Sequence, residues 1–172
     1  MILRTMATFR SDLADNGVEA EDTHDFIEWP GRAHALVLAD ILQAMGWRIS
    51  KMVDSNEHGW ELEAKLNGNR IWMQISPIDE IILMFEGSSP IWTWFFAPRP
   101  TGVFPETLTA IDAALHADGR FHDLRWFTNK EYQHDAPGAP TPVSDIQEMA
   151  GYASPPLPPR PWREWDHPWR DR

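Results

Sequence analysis

Seven histidines stand in this chain of 172 residues, and four of them adjoin an aspartate: His24-Asp25, His122-Asp123, His134-Asp135 and Asp166-His167. Imidazole beside carboxylate can ligate a metal or move a proton. Neighbouring residues of a strand project to opposite faces, however, so a doublet does not by itself bring both groups to one ligand. His34 has no His or Glu four residues on, and the H-E-x-x-H spacing that puts two ligands on one helical face is absent. The histidines are therefore read as surface or boundary residues, and no metal ligand is assigned.

Nucleophilic chemistry has less to work with. The chain has no cysteine, which excludes thiolate nucleophiles, thiolate zinc sites and disulfides. There is no G-x-S-x-G, and Ser88-Ser89 sits in a Gly-Ser-Ser-Pro turn. No glycine-rich phosphate loop precedes a helix, since Gly87 is alone and Asn67-Gly68-Asn69 is a hairpin signal. Glu61 and Glu63 share one strand face and, with His58, are the set a small hydrolase would use. Their placement two residues apart on a polar face reads first as solvated charge. No catalytic or cofactor-binding residue is assigned, and no cofactor is expected.

Whatever these side chains do, a sheet must position them. From Trp60 the apolar residues alternate strictly (Trp60, Leu62, Ala64, Leu66) against Glu61, Glu63 and Lys65, the period of a half-buried strand. Asn67-Gly68 suits a type I′ turn. A second strand follows with Ile71, Met73 and Ile75 on one side and Trp72, Gln74 and Ser76 on the other, and Ile81 to Phe85 is apolar on both faces, as a covered strand requires. Before this meander, Trp29-Pro30 opens an amphipathic helix through Met45 with Gly46 as its stop, and Trp47 to Val53 reads as a strand. After it, residues 91–97 (IWTWFFA) read as a fifth strand, Pro105 to Gly119 as a second helix, and Phe121 to Thr128 as a strand returning to the sheet. The order predicts a two-layer α+β domain, an antiparallel sheet of five to six strands with two helices on one face.

Three segments are expected: an acidic N-terminal arm over 1–28, with a short helix near Thr5 to Ala14, the α+β domain over 29–130, and a Pro/Trp-rich extended tail over 131–172. No apolar run approaches the ~20 residues of a membrane span, and no signal-peptide core is evident, so the expected location is cytoplasmic. A net charge of −11 argues against nucleic acid and anionic membranes as partners and leaves a basic protein open.

Binding surface is better represented than chemistry. Trp92, Trp94 and Phe96 share one face of the fifth strand, and Trp162, Trp165 and Trp169 recur in the tail at helical spacing. These six are the expected partner-binding residues, for another protein or for self-association through the tail. Pro155-Pro156-Leu157-Pro158-Pro159-Arg160 reads as a stiff polyproline spacer. In size, charge and element order the chain is similar to type III secretion chaperones and bacterial immunity proteins. That likeness implies a non-enzymatic protein-binding module such as an acidic inhibitor, immunity or chaperone-like protein. A phage or other assembly subunit and a small hydrolase on the sheet are the alternatives.

Overall fold

A computed structural model describes residues 1–15, 17–19, 26–77, 80–88 and 102–144. In chain order these form β1 (Ile2–Leu3), β2 (Met6–Ser11), β3 (Val18–Glu19), β4 (Phe26–Glu28), α1 (Arg32–Ala44), β5 (Arg48–Asp54), a 3-10 turn (Asn56–His58), β6 (Trp60–Leu66), β7 (Asn69–Pro77), β8 (Ile81–Ser88), α2 (Val103–Ala117), β9 (Phe121–Phe127), α3 (Asn129–Gln133) and β10 (Val143–Ser144). The expected fifth strand at 91–97 and the tail beyond 144 lie outside the described residues.

The meander forms as its sequence dictates. Asn67 and Gly68 both take positive φ, 49° and 81°, as a type I′ turn requires, and β6 pairs with β7 residue for residue from Trp60↔Ile75 to Leu66↔Asn69. The sheet is antiparallel throughout, in the order β5-β6-β7-β8-β2-β9. Between β8 and β9 lies β2, from the segment expected to be an acidic arm. Met6 to Ser11 is thus a central strand and not a helix, because Met6, Ala7, Thr8 and Phe9 are buried on both faces between two neighbours. The folded unit accordingly begins well ahead of residue 29. It also extends past 130, since β10 pairs with β1 and Ala139 bridges Trp126.

Both long helices cover one face of this sheet. Ala35, Leu38 and Leu42 of α1 and Leu108, Ile111 and Leu115 of α2 meet Leu62, Ile71, Met73, Ile75, Leu83 and Trp126, all essentially without solvent contact. The spacing of the apolar residues in β9, three and then two, follows from a bulge at Asp123 (φ 56°), which lets Phe121, Leu124 and Trp126 all point to the core. Trp126 carries a polar handle there: its indole N–H donates to Asp112 Oδ1 of α2 at 2.6 Å. Burial raises the Asp112 pKa, while that hydrogen bond and His116 act the other way.

Two polar networks close the fold. Arg4, with 3% of its side chain exposed, forks onto Glu131 (Nε to Oε2 3.0 Å, Nη2 to Oε1 3.1 Å) and donates to Ser144 Oγ at 2.8 Å. Glu131 at the same time closes a capping box on α3, accepting from the Thr128 N–H while its own N–H donates to Thr128 Oγ1. The second network lies at the start of α1, whose N-cap is Gly31 and offers no side-chain acceptor. Asp15 supplies one from a distance. Its Oδ2 accepts from Gly31 N–H (2.8 Å), Ala33 N–H (3.1 Å) and His34 Nδ1 (2.7 Å). Pro30 therefore sits in the turn ahead of the helix, not at its first position.

Gly59 joins the 3-10 turn to β6 at φ 83°, and a Cβ there would stand 2.1 Å from the Ile75 carbonyl oxygen. Gly59→Ala is expected to lower the unfolding free energy by about 1–3 kcal/mol, from forced backbone strain and overlap. Urea denaturation checks this, and an unchanged midpoint would contradict it.

Candidate binding face

The two long helices leave the other face of the sheet to Glu61, Glu63, Lys65, Arg70, Trp72, Gln74, Ile82, Met84 and Glu86, which alternate with the core residues along β6, β7 and β8. Register then sorts them into rows across the strands. Lys51, Glu63, Trp72 and Glu86 form one, each opposite the next. The row beside it runs Arg48, Lys65, Arg70, Ser88. On the far side Val53, Glu61, Gln74, Met84, Met6 and Phe127 continue the sheet to its other edge. There Phe127 packs edge-on against Tyr132 of α3.

Trp72 is the largest side chain on this face and is half-buried. Glu63 and Glu86 lie directly opposite it on the two neighbouring strands, and Glu61 stands one row over on β6, opposite Gln74. Ile82 and Met84, also half-buried, extend the apolar surface along β8. The centre is thus aromatic and aliphatic, with carboxylates around it.

Two of these carboxylates, Glu61 and Glu63, are held ionised. Glu61 has its pKa lowered chiefly by the Lys51 ammonium at 2.9 Å, against the opposing effect of burial, with Ser55 Oγ at 3.0 Å and Trp72 assisting. Glu63 is lowered first by Ser50 Oγ at 2.8 Å and then by Lys65 at 3.2 Å, with Arg70 at 3.4 Å contributing. A proton-transfer group needs a pKa near the working pH. Glu61 and Glu63 are tuned away from it, toward fixed negative charge. What His58 brings to this neighbourhood is its main-chain carbonyl, which accepts from Gln74 Nε2 (3.1 Å) and Ser76 Oγ (2.8 Å).

Neither of the two described histidine doublets is used as a pair. His122 turns from its neighbour Asp123 to Asp12, with Nε2 to Oδ2 at 2.8 Å, while Asp123 occupies the bulge. His134 and Asp135 follow α3 and are both exposed. The other two doublets lie outside the described residues. Among the described residues no group of three or more His, Asp or Glu side chains converges as a metal site would.

The closest His–Asp contact is one that adjacency could not reveal, His34 with Asp15. A carboxylate oxygen only accepts, so Nδ1 carries the imidazole proton and Nε2 presents a bare lone pair. Nε2 is buried and finds no hydrogen-bond partner among the described residues, and the rings of Phe9 and Phe121 flank it. Burial lowers the His34 pKa, outweighing the opposite pull of Asp15, so the ring stays neutral. This is a helix-capping device enclosed in the core.

All six aromatic residues expected to bind a partner, Trp92, Trp94, Phe96, Trp162, Trp165 and Trp169, lie outside the described residues. The sequence signal for Trp72 was its place as the one large aromatic on an otherwise polar strand face. No helix among the described residues is long and apolar enough to cross a membrane. Compared with protein-family models, curated proteins and solved structures, the chain matches none significantly.

Proposed function

We propose that this chain is a non-enzymatic protein-binding module that engages a basic partner through the face of its sheet opposite the two long helices. One observation carries the reading: Trp72 is flanked in register by Glu63 and Glu86, with Glu61 in the adjoining row. An indole face attracts a cation through its quadrupole, and carboxylates beside it add charge and acceptors, so a Lys or Arg side chain is the complementary group. Ile82 and Met84 supply the apolar contact that would surround it. An aromatic and methionine centre with a polar rim is the common anatomy of a protein interface. The net charge of −11 extends the attraction beyond contact range and speeds encounter with a basic surface. Inhibitor, immunity and secretion-chaperone roles are forms such a module takes, and the proposal keeps the cytoplasmic location expected from the sequence.

Affinity capture from native lysate tests it, with the parent chain and Trp72→Ala immobilised side by side. The parent is expected to retain a basic protein that salt releases. Trp72→Ala is expected to bind that protein with roughly thirtyfold lower affinity, the loss of a central aromatic anchor. Equal retention by both forms, or retention by neither, would contradict the proposal.

A further inference from the structure

We infer that the adjoining corner of the sheet, where Arg48, Lys65 and Arg70 stand in line with Ser88, binds a tetrahedral oxyanion of the phosphate class. The four residues are directly opposed across β5, β6, β7 and β8. Neighbouring strands lie about 4.8 Å apart, so the three cations issue from a span of about 10 Å. Like charges placed opposite one another in a sheet repel and destabilise it. Here that arrangement occurs twice in succession, in a chain that is strongly acidic overall.

Neutralisation within the corner is incomplete. Glu63 is shared between Lys65 (3.2 Å) and Arg70 (3.4 Å), and Arg48 has no acid partner among the described residues. Three cations against one carboxylate leave a net charge of +2. The corner opens onto a depression of about 500 Å³ at the β6–β7 hairpin, where Asn67 adds an amide group to the Ser88 hydroxyl, while the Asn69 amide donates to the Leu66 carbonyl. A carboxylate, with one charge and two oxygens, would leave a cation unmatched. A phosphate, close to a dianion at neutral pH and presenting several acceptor oxygens, matches both the charge and the number of donors. Arginines at two of the three cationic positions favour the same ligand, since the guanidinium fork fits phosphate oxygens two at a time. This inference rests on a different row from the basic-partner reading, with which it shares Glu63.

Titration of the full chain with inorganic phosphate, at constant ionic strength set with chloride and followed by amide NMR, tests it. Saturable shifts are expected at Arg48, Lys65, Arg70 and Ser88. Arg48→Gln is expected to weaken binding about tenfold, the effect of one charge-assisted hydrogen bond. In chloride alone Arg48→Gln is expected to melt no lower than the parent, because a like-charge neighbour has been removed. Phosphoserine binding at least as well as phosphate would assign the monoester, and its failure beside phosphate binding would assign the free ion; either supports the site. The inference is overturned if no saturable shift appears, if Arg48→Gln shifts as strongly as the parent, if acetate produces the same shifts, or if Arg48→Gln melts lower in chloride.

Discussion

Arg4→Ala is expected to lower the unfolding free energy by about 3 kcal/mol, the lower end of the range for breaking a buried ion pair by removing one partner. Glu131 keeps 23% of its side chain exposed, so water can reach the orphaned carboxylate, and this places the loss at the lower end. Three guanidinium contacts go together: both oxygens of Glu131, and Ser144 Oγ. These contacts fasten the start of β2 to α3 and β10, so local opening of all three segments should accompany the loss. For a chain of this size the melting temperature should fall by roughly 6–12 °C. Burial raises the Glu131 pKa, but the Thr128 N–H and the Arg4 hydrogen bond and charge outweigh it and hold it below 4.5. With a depressed folded pKa, the stabilisation is present above the unfolded value and is lost as pH falls through the folded one. Urea denaturation of parent and variant at neutral pH and in acid checks both statements. A loss under about 1 kcal/mol at neutral pH would mean that the pair only offsets its own desolvation.

Asp15→Ala is expected to cost about 2–4 kcal/mol, combining the loss of a helix cap with an imidazole left buried and unpaired at both nitrogens. Asp15→Asn, which keeps a neutral acceptor for the Gly31 and Ala33 amides, should lose less. The same site sets a pH dependence. His34 has a folded pKa below 6.5, so the unfolded chain takes up a proton that the native one refuses. Stability from this residue is present above about pH 6.5 and declines as pH falls from there toward the folded value. His34→Gln removes the titration, so its stability should change less than the parent's between about pH 7 and 5. Thermal melts across that range decide the matter, and parallel curves for parent and His34→Gln would contradict the assignment.

The meander and both long helices were legible because their signals are local. Alternation fixes which side of β6 and β7 is buried, Asn67-Gly68 fixes the hairpin register, and α1 and α2 carry apolar stripes at helical spacing. Met6 to Ser11 gave no such signal. A short strand buried on both faces loses its alternation, and at this length periodicity cannot separate it from a helix turn. Asp15 was hidden for a different reason, since its partners lie 16 to 19 residues away. One clue was present: a helix opening at Gly31, without Ser, Thr, Asp or Asn, needs an acceptor from elsewhere for its first amides. The rows on the open face could be drawn only in part. Glu63 opposite Trp72 follows from the hairpin, but Glu86 and Arg48 enter through β8 and β5, whose registers depend on a longer connection and on the bulge at Ser50.

The indole N–H resonance of Trp72, identified as the signal absent from Trp72→Phe, reports most directly on the proposed interface. On titration with a lysine-bearing peptide in low salt, this resonance and the amides of Glu63 and Glu86 are expected to move together and to saturate. The shifts should vanish in Glu86→Lys, which places a like charge against the incoming cation, and should weaken as salt is raised. A Trp72 signal that stays fixed while the peptide binds elsewhere, or one that moves equally in Glu86→Lys, would contradict the basic-partner reading.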